Sequence, residues 1–237
     1  MLFDMDGTLI DSEKLWDVAL RELAERYGGR LSATARLAMV GSDLATTMRL
    51  LHDDLDQPWR DPRTGADWVT RRVAQLFGAG LPWRPGAEDL LRAVRSDGFR
   101  TALVTSTERP LVDIALRSLG RHNFDVVVCG DEVSATKPDP APYLSATAAL
   151  GVAPRECVAV EDSPAGVASA YAARVAVLAV PAEVALTVPP GVHVRDSLVG
   201  VTTATLVAVH REALSAGHLG QRSAVAHPDQ RLVAGRP

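Results

Sequence analysis

The chain has 237 residues, a net charge of -4 and 47% hydrophobic residues, enough for one large domain or two smaller ones with a buried core. This balance argues against a nucleic-acid surface and against wholesale disorder. Cys129 and Cys157 lie in or beside apolar runs, so a reduced, cytoplasmic setting is expected rather than a disulfide framework. No signal-peptide pattern opens the chain, and the longest apolar stretch, residues 175–188, is broken by Pro181 and Glu183 and is too short to span a bilayer.

The first twelve residues, MLFDMDGTLIDS, place Asp4 and Asp6 at the end of a short apolar run. Strand alternation would point both carboxylates the same way, and Gly7 would let the chain turn next to a ligand. From Ser12, placed to cap it, a helix runs through Leu15, Leu20, Leu23 and Tyr27 to Gly28-Gly29. Ser42 or Asp43 is placed to cap a second helix through Met48 and Leu51, and a third covers residues 66–77, closing at Gly78. After Pro82 helices alternate with apolar strands. A helix over 87–96 ends at Gly98, and strand 100–105 precedes a helix capped by Thr107 and closing at Leu119-Gly120. Strand 125–129 and a helix from Asp139-Pro140 to Gly151 come next, then strand 157–160, a helix from Ser163-Pro164, and strand 175–180.

Continuous apolar strands separated by helices predict an α/β fold, a doubly wound parallel sheet covered on both faces. The catalytic core is assigned to residues 1–11 and 83–213, an inserted all-helical cap to 12–82, and a mobile tail to 214–237. Open parallel sheets bind ligands beyond the carboxyl ends of their strands. Asp4 and Asp6, Thr105-Ser106-Thr107, Lys137 and Glu161-Asp162 all follow strands and converge on that edge. Each has a bland reading: an isolated Asp-x-Asp is a solvated turn or a glycosyltransferase metal clamp, Thr105 a helix cap, Lys137 a solvated loop charge, Glu161-Asp162 a complement to the next helix dipole. A calcium loop fails, because Leu9 and Leu15 stand where it needs Gly and Glu. Only Lys14 and Lys137 are lysine among 25 basic residues, which draws attention to Lys137.

Over residues 1–205 the segments DMDGTLIDSE, the run ending at Thr105, KPDP at Lys137 and EDSPAG at Glu161 resemble the haloacid dehalogenase superfamily, in its branch with a helical cap after the first strand that includes β-phosphoglucomutase-like enzymes and phosphatases. The resemblance implies Asp4 as nucleophile, Asp6 as general acid and base, Thr105 as phosphate binder and Lys137 as charge neutraliser. It also implies Mg2+ on the Asp4 carboxylate, the Asp6 backbone carbonyl and Asp162. Ser106 is placed to add a phosphate donor, and Glu161 to lie behind the ligands. An ionised carboxylate can attack phosphorus once the phosphate charge is masked, and Asp6 would protonate the departing alcohol and then deprotonate water.

The expected activity is Mg2+-dependent hydrolysis of small phosphate monoesters, with sugar phosphates first by resemblance and a monomer or weak homo-oligomer as the form. A β-phosphoglucomutase-like isomerase is the alternative. It would want an Arg a few residues after Gly41, where this chain has Leu44. A non-enzymatic phospho-receiver is more remote, since receivers are shorter and lack a helical insert. A dehalogenase has no need of Asp6, and a phosphonate-cleaving enzyme would need a lysine inside the cap. Trp16, Ser42, Asp43, Arg49, His52 and residues 68–72 are candidates to contact the substrate. Two departures from the family pattern stand out: the first strand has only three residues before Asp4, so it is abbreviated or begins upstream, and Arg174 stands where a glycine-rich turn is usual.

Overall fold

The computed structural model describes residues 1–40, 42–182 and 185–217. Its elements follow in the order β1 (Leu2–Phe3), α1 (Glu13–Arg26), α2 (Ala33–Met39), α3 (Leu44–Asp54), α4 (Pro62–Gly78), α5 (Ala87–Ser96), β2 (Ala102–Val104), α6 (Arg109–Leu119), β3 (Val126–Val128), α7 (Ala141–Leu150), β4 (Val158–Glu161), α8 (Pro164–Ala172), β5 (Ala176–Ala179), β6 (His193–Val194) and α9 (Thr203–Ser215). The strands form one sheet in the order β3-β2-β1-β4-β5-β6, every pairing parallel. The chain runs outward one way from β1 to β3 and the other way from β4 to β6. The gap between the ends of β1 and β4 is therefore the point where strand order reverses, the usual ligand position in such sheets.

Both faces of the sheet are covered, as the apolar strands predict. Phe3, Leu103, Val160 and Leu178 pack on one face with Leu90 of α5, Val112 of α6 and Leu206 of α9. Leu2, Val104, Ala159 and Val177 pack on the other with Tyr143 of α7 and Val167 of α8. Strand β1, two residues long here, is paired on both sides, and Leu2 and Phe3 are fully buried. Its amino terminus is fixed as well, because the Met1 amine donates to the Arg100 carbonyl at 2.7 Å.

Residues 13–78 contribute α1 to α4, whose buried Leu20, Leu23, Met48, Leu51, Val69, Val73 and Phe77 form one continuous apolar cluster with the sheet face. Helix α2 is absent from the sequence reading. Its seven residues are too short for a clear period, and it is held by the Ser32 cap on Ala35 N and by Asp54, which accepts from Ser32 N at 2.8 Å and Ser32 Oγ at 2.5 Å. Helix α4 starts four residues earlier than expected because Asp61 caps it with Pro62 in the first turn. The entry and exit of this segment run side by side: Asp11 N donates to the Pro82 carbonyl at 2.9 Å and Arg84 N to the Leu9 carbonyl at 2.8 Å.

Strand β6, half-exposed and two residues long, and helix α9 also go beyond the sequence reading. The tail expected from Leu214 overlaps the last turn of α9, and residues 218–237 lie outside the described residues, as does Gly41. Arg174, at the turn expected to be glycine-rich, has φ 59°, the left-handed conformation that a glycine would adopt without strain. No helix among the described residues is long and apolar enough to cross a membrane.

Candidate active site

Asp4, Asp6, Thr105, Ser106, Lys137 and Asp162 line one cavity of about 440 Å³ at the strand-order reversal. Strand alternation is not what brings Asp4 and Asp6 together, since β1 ends at Phe3. Asp4 continues the sheet by donating its N–H to the Val160 carbonyl at 3.1 Å, and the chain then folds back so that Asp6 pairs beside Ile10. Gly7 is required there: its φ is 79°, and a Cβ on it would stand 2.0 Å from Asp162 Oδ2. The Gly7 N–H is taken by the Ile10 carbonyl at 2.9 Å, so it serves the turn and not a ligand.

Lys137, 4% exposed, uses three donors on three acceptors: Asp4 Oδ1 at 2.6 Å, Glu161 Oε1 at 2.6 Å and the Val104 carbonyl at 2.9 Å. Burial alone would lower its pKa, but the Asp4 and Glu161 carboxylates outweigh burial and hold it raised. Glu161 is fully buried and also accepts from the Tyr143 hydroxyl at 2.5 Å. Burial, opposed by Lys137 and reinforced by Asp4, pushes Glu161 up to about 7. Its other oxygen packs against the first turn of α8, where a Cβ on Gly166 would stand 1.9 Å from Oε2. Burial, followed by the charges of Asp4 and Glu161, raises Asp162 above its ordinary value; Thr8 donates to its Oδ1 at 3.2 Å.

This edge therefore holds more negative charge than its protein partners balance. Carboxylate oxygens of Asp4, Glu161 and Asp162 lie within 4.8 Å of one another, and Asp4 Oδ2 and Glu161 Oε2 are buried without a hydrogen-bond partner. Buried acceptors of this kind need a donor or a cation, and a compact set of hard oxygens fits a small divalent ion such as Mg2+. The Asp6 side chain stands outside this trio. Its Oδ1 accepts from Ser12 Oγ and Trp16 Nε1, and its Oδ2 from Thr107 Oγ1 and Thr105 Oγ1. Burial comes first in raising its pKa, against these hydrogen bonds, and the nearby Asp4 charge adds to the rise.

Ser12 and Thr107, read from the sequence as helix caps, make no side-chain cap bond. Helix α1 begins without one, and Glu108, not Thr107, holds the cap position of α6. Of the residues proposed to contact a substrate, Trp16, Ser42 and Asp43 line the cavity, as does Thr70 from the 68–72 segment. Arg49 and His52 do not. Arg49 donates to Thr46 Oγ1 at 2.8 Å, and His52 is buried beside Tyr27 with ring centroids 5.8 Å apart. Asp43 is the residue that caps α3, through Thr46 N at 2.8 Å. Thr107, expected at this edge after Thr105 and Ser106, also lines the cavity, and Arg36 and Glu13, missed by the sequence reading, line it as well. Arg36 and Glu13 form a buried ion pair across 23 positions, a distance over which no local motif gives a signal.

The family model for haloacid dehalogenase-like hydrolases matches residues 1–180, and the chain belongs to that family. Among curated relatives, hexitol phosphatase B of Escherichia coli O157:H7 is 32% identical over 213 residues, covering 86% of this chain and 93% of that one. A phosphorylated carbohydrates phosphatase of Thermotoga maritima is 33% identical over 180 residues, covering 74% and 81%. Of solved structures, β-phosphoglucomutase from Clostridium difficile superposes with a TM-score of 0.79 over 90% of this chain and 97% of that one; at 20% identity it shares the fold.

Proposed function

We propose that this protein is a Mg2+-dependent phosphatase that hydrolyses small phosphate monoesters through a phosphorylated Asp4, with sugar or sugar-alcohol phosphates as its substrates. The observation that carries this reading is Asp4 itself: Lys137 holds Oδ1, Oδ2 is buried and unpartnered, and the residue lines the cavity together with Asp6 and Thr105. Phosphatases of sugar alcohols and phosphorylated carbohydrates among the relatives support the substrate class.

In the first step an Asp4 oxygen forms a bond to phosphorus. The bond from phosphorus to the alcohol oxygen breaks, its electron pair stays on that oxygen, and Asp6 supplies the proton. In the second, water attacks phosphorus, Asp6 takes the water's proton, and the bond to Asp4 breaks. Asp4 and Asp162, with Glu161 beside them and the Asp6 main-chain carbonyl, would hold the Mg2+, which supplies charge masking for the phosphoryl oxygens. Lys137 masks charge from the protein side, and the Thr105 and Ser106 hydroxyls offer donors; Ser106 Oγ is buried without a partner. Residues 12–82 act as a cap that excludes water during the first step and opens for the second. The working compartment is the cytoplasm.

Phosphate release from a panel of phosphorylated metabolites, with and without Mg2+ and with Asp4→Asn alongside, tests the reading. β-Glucose 1-phosphate with its bisphosphate activator serves as a control for isomerisation. Metal-dependent release that is lost in Asp4→Asn is expected. Isomerisation without net release, or release unchanged in Asp4→Asn, would overturn it.

A further inference from the structure

The four groups that bond Asp6 are not chemically alike. Its Oδ1 accepts from Ser12 Oγ at 2.5 Å and from Trp16 Nε1 at 3.3 Å, and its Oδ2 from Thr107 Oγ1 at 2.7 Å and Thr105 Oγ1 at 3.4 Å. A hydroxyl can donate or accept, whereas an indole N–H only donates. A protonated carboxyl oxygen is a poor acceptor, so the indole disfavours a proton on Oδ1. Oδ2 meets hydroxyls alone, and these can turn round to receive its hydrogen. The indole is itself held in place, edge-on to Phe77 with ring centroids 6.4 Å apart and planes at 87°. Asp6, Trp16 and Thr107 all line the cavity.

We propose that Trp16 and Thr107 are positioning residues for the acid–base work of Asp6: Trp16 directs the acid proton to Oδ2, and Thr107 holds Oδ2 on the cavity wall. The inference rests on the reading of Asp6 as general acid and base. The proton on Oδ2 passes to the ester oxygen as the bond between that oxygen and phosphorus breaks and Asp4 bonds to phosphorus. It is replaced when water attacks phosphorus and gives its proton to Oδ2 as the Asp4–phosphate bond breaks. Trp16 lies on α1 and Thr107 just before α6, so the donors that orient Asp6 come from both sides of the cavity.

The test compares two leaving groups in the full-length protein. An alkyl phosphate, the fastest of the panel above, releases an alkoxide that needs a proton; p-nitrophenyl phosphate releases a phenolate that does not. In Trp16→Phe and Thr107→Val, kcat/KM, which reports the first step alone, should fall about tenfold or more on the alkyl ester and less than about threefold on the nitrophenyl ester, a share of what general acid catalysis supplies. Thr107→Ser, which restores the hydroxyl, should recover the alkyl activity. Equal losses on both esters, or no loss on the alkyl ester, would overturn the proposal. Circular dichroism and melting temperature establish that each variant folds, and if Thr107→Val does not, Trp16→Phe and Thr107→Ser decide. The underlying reading fails separately, if Asp6→Asn loses no more activity on the alkyl ester than on the nitrophenyl ester.

Discussion

Arg36 and Lys137 are both buried cations held between two carboxylates, yet their surroundings are balanced differently. Arg36 donates to Glu13 Oε2 at 2.8 Å and Asp17 Oδ1 at 3.1 Å, and Asp17 also accepts from Arg21 at 2.8 Å, so within these four groups the charges match. Lys137 alone faces Asp4 and Glu161, with Asp162 in the same cluster, and two of the carboxylate oxygens have no partner. The first arrangement is a charge-matched set that ties α1 to α2. The second carries surplus negative charge, a cost to stability that the proposed binding of a cation and a phosphoryl group would offset.

The strongest way to break this comparison is to remove the cation from the unbalanced site. Lys137→Ala leaves Asp4 and Glu161 buried together, and urea denaturation should show a loss of about 3–5 kcal/mol, the range for breaking a buried pair. A loss below about 1 kcal/mol would mean that solvent already reaches this site. Arg36→Met alone should lose about 3 kcal/mol by the same reasoning, because Glu13 loses its buried cation. Combining it with Glu13→Leu should recover about half of that loss or more, since the buried carboxylate goes with its partner. If the double variant stays as unstable as the single one, the charge-matched pair is not the source of the loss and the contrast with Lys137 disappears.

Metal sharpens the comparison at the sheet edge alone. Mg2+ at about 100 times its dissociation constant should stabilise the protein by about 2.7 kcal/mol, read as a rise in melting temperature. Asp162→Asn should abolish that rise and make the metal-free protein more stable, since it removes one of three crowded carboxylates. The same Mg2+ response in Asp162→Asn would remove Asp162 from the ligand set. The smallest effect is expected in the helical segment, at His52. Burial, with Arg60 next, lowers its pKa below the ordinary 6.5, so the unfolded chain takes up its proton first. Stability from this group is complete above pH 6.5 and is lost as pH falls from 6.5 toward the folded value. Melting curves between pH 7.5 and pH 5 should therefore converge for wild type and His52→Gln, by about 1 kcal/mol or less; parallel curves would exclude His52 as the cause.

Much of the fold could be read directly because the signals are local. Apolar runs separated by Gly and Pro mark β2, β3, β4 and β5, and the caps at Asp43 and Ser163 follow from one or two neighbouring residues. What escaped was short or shielded: α2 has seven residues, and β6 has two at a half-exposed edge. The six site residues that line the cavity were also legible, since Asp4, Asp6, Thr105, Ser106, Lys137 and Asp162 all follow strands, and a parallel sheet fixes where strand ends lie.

Sequence by itself thus determined the layered α/β architecture and which residues meet at one sheet edge, because periodicity and strand order are properties of neighbouring positions along the chain. Only the tertiary structure decided what each side chain does there. Ser12 and Thr107 are good helix caps by local chemistry, but Asp6 offers their hydroxyls a half-buried acceptor at 2.5 and 2.7 Å. A hydrogen bond to a partly desolvated carboxyl group outweighs one to a solvent-accessible helix end. The Arg36–Glu13 pair and the unpartnered oxygens of Asp4 and Glu161 are likewise facts of packing, set by residues far apart in the chain that the sheet and helices bring within a few ångströms.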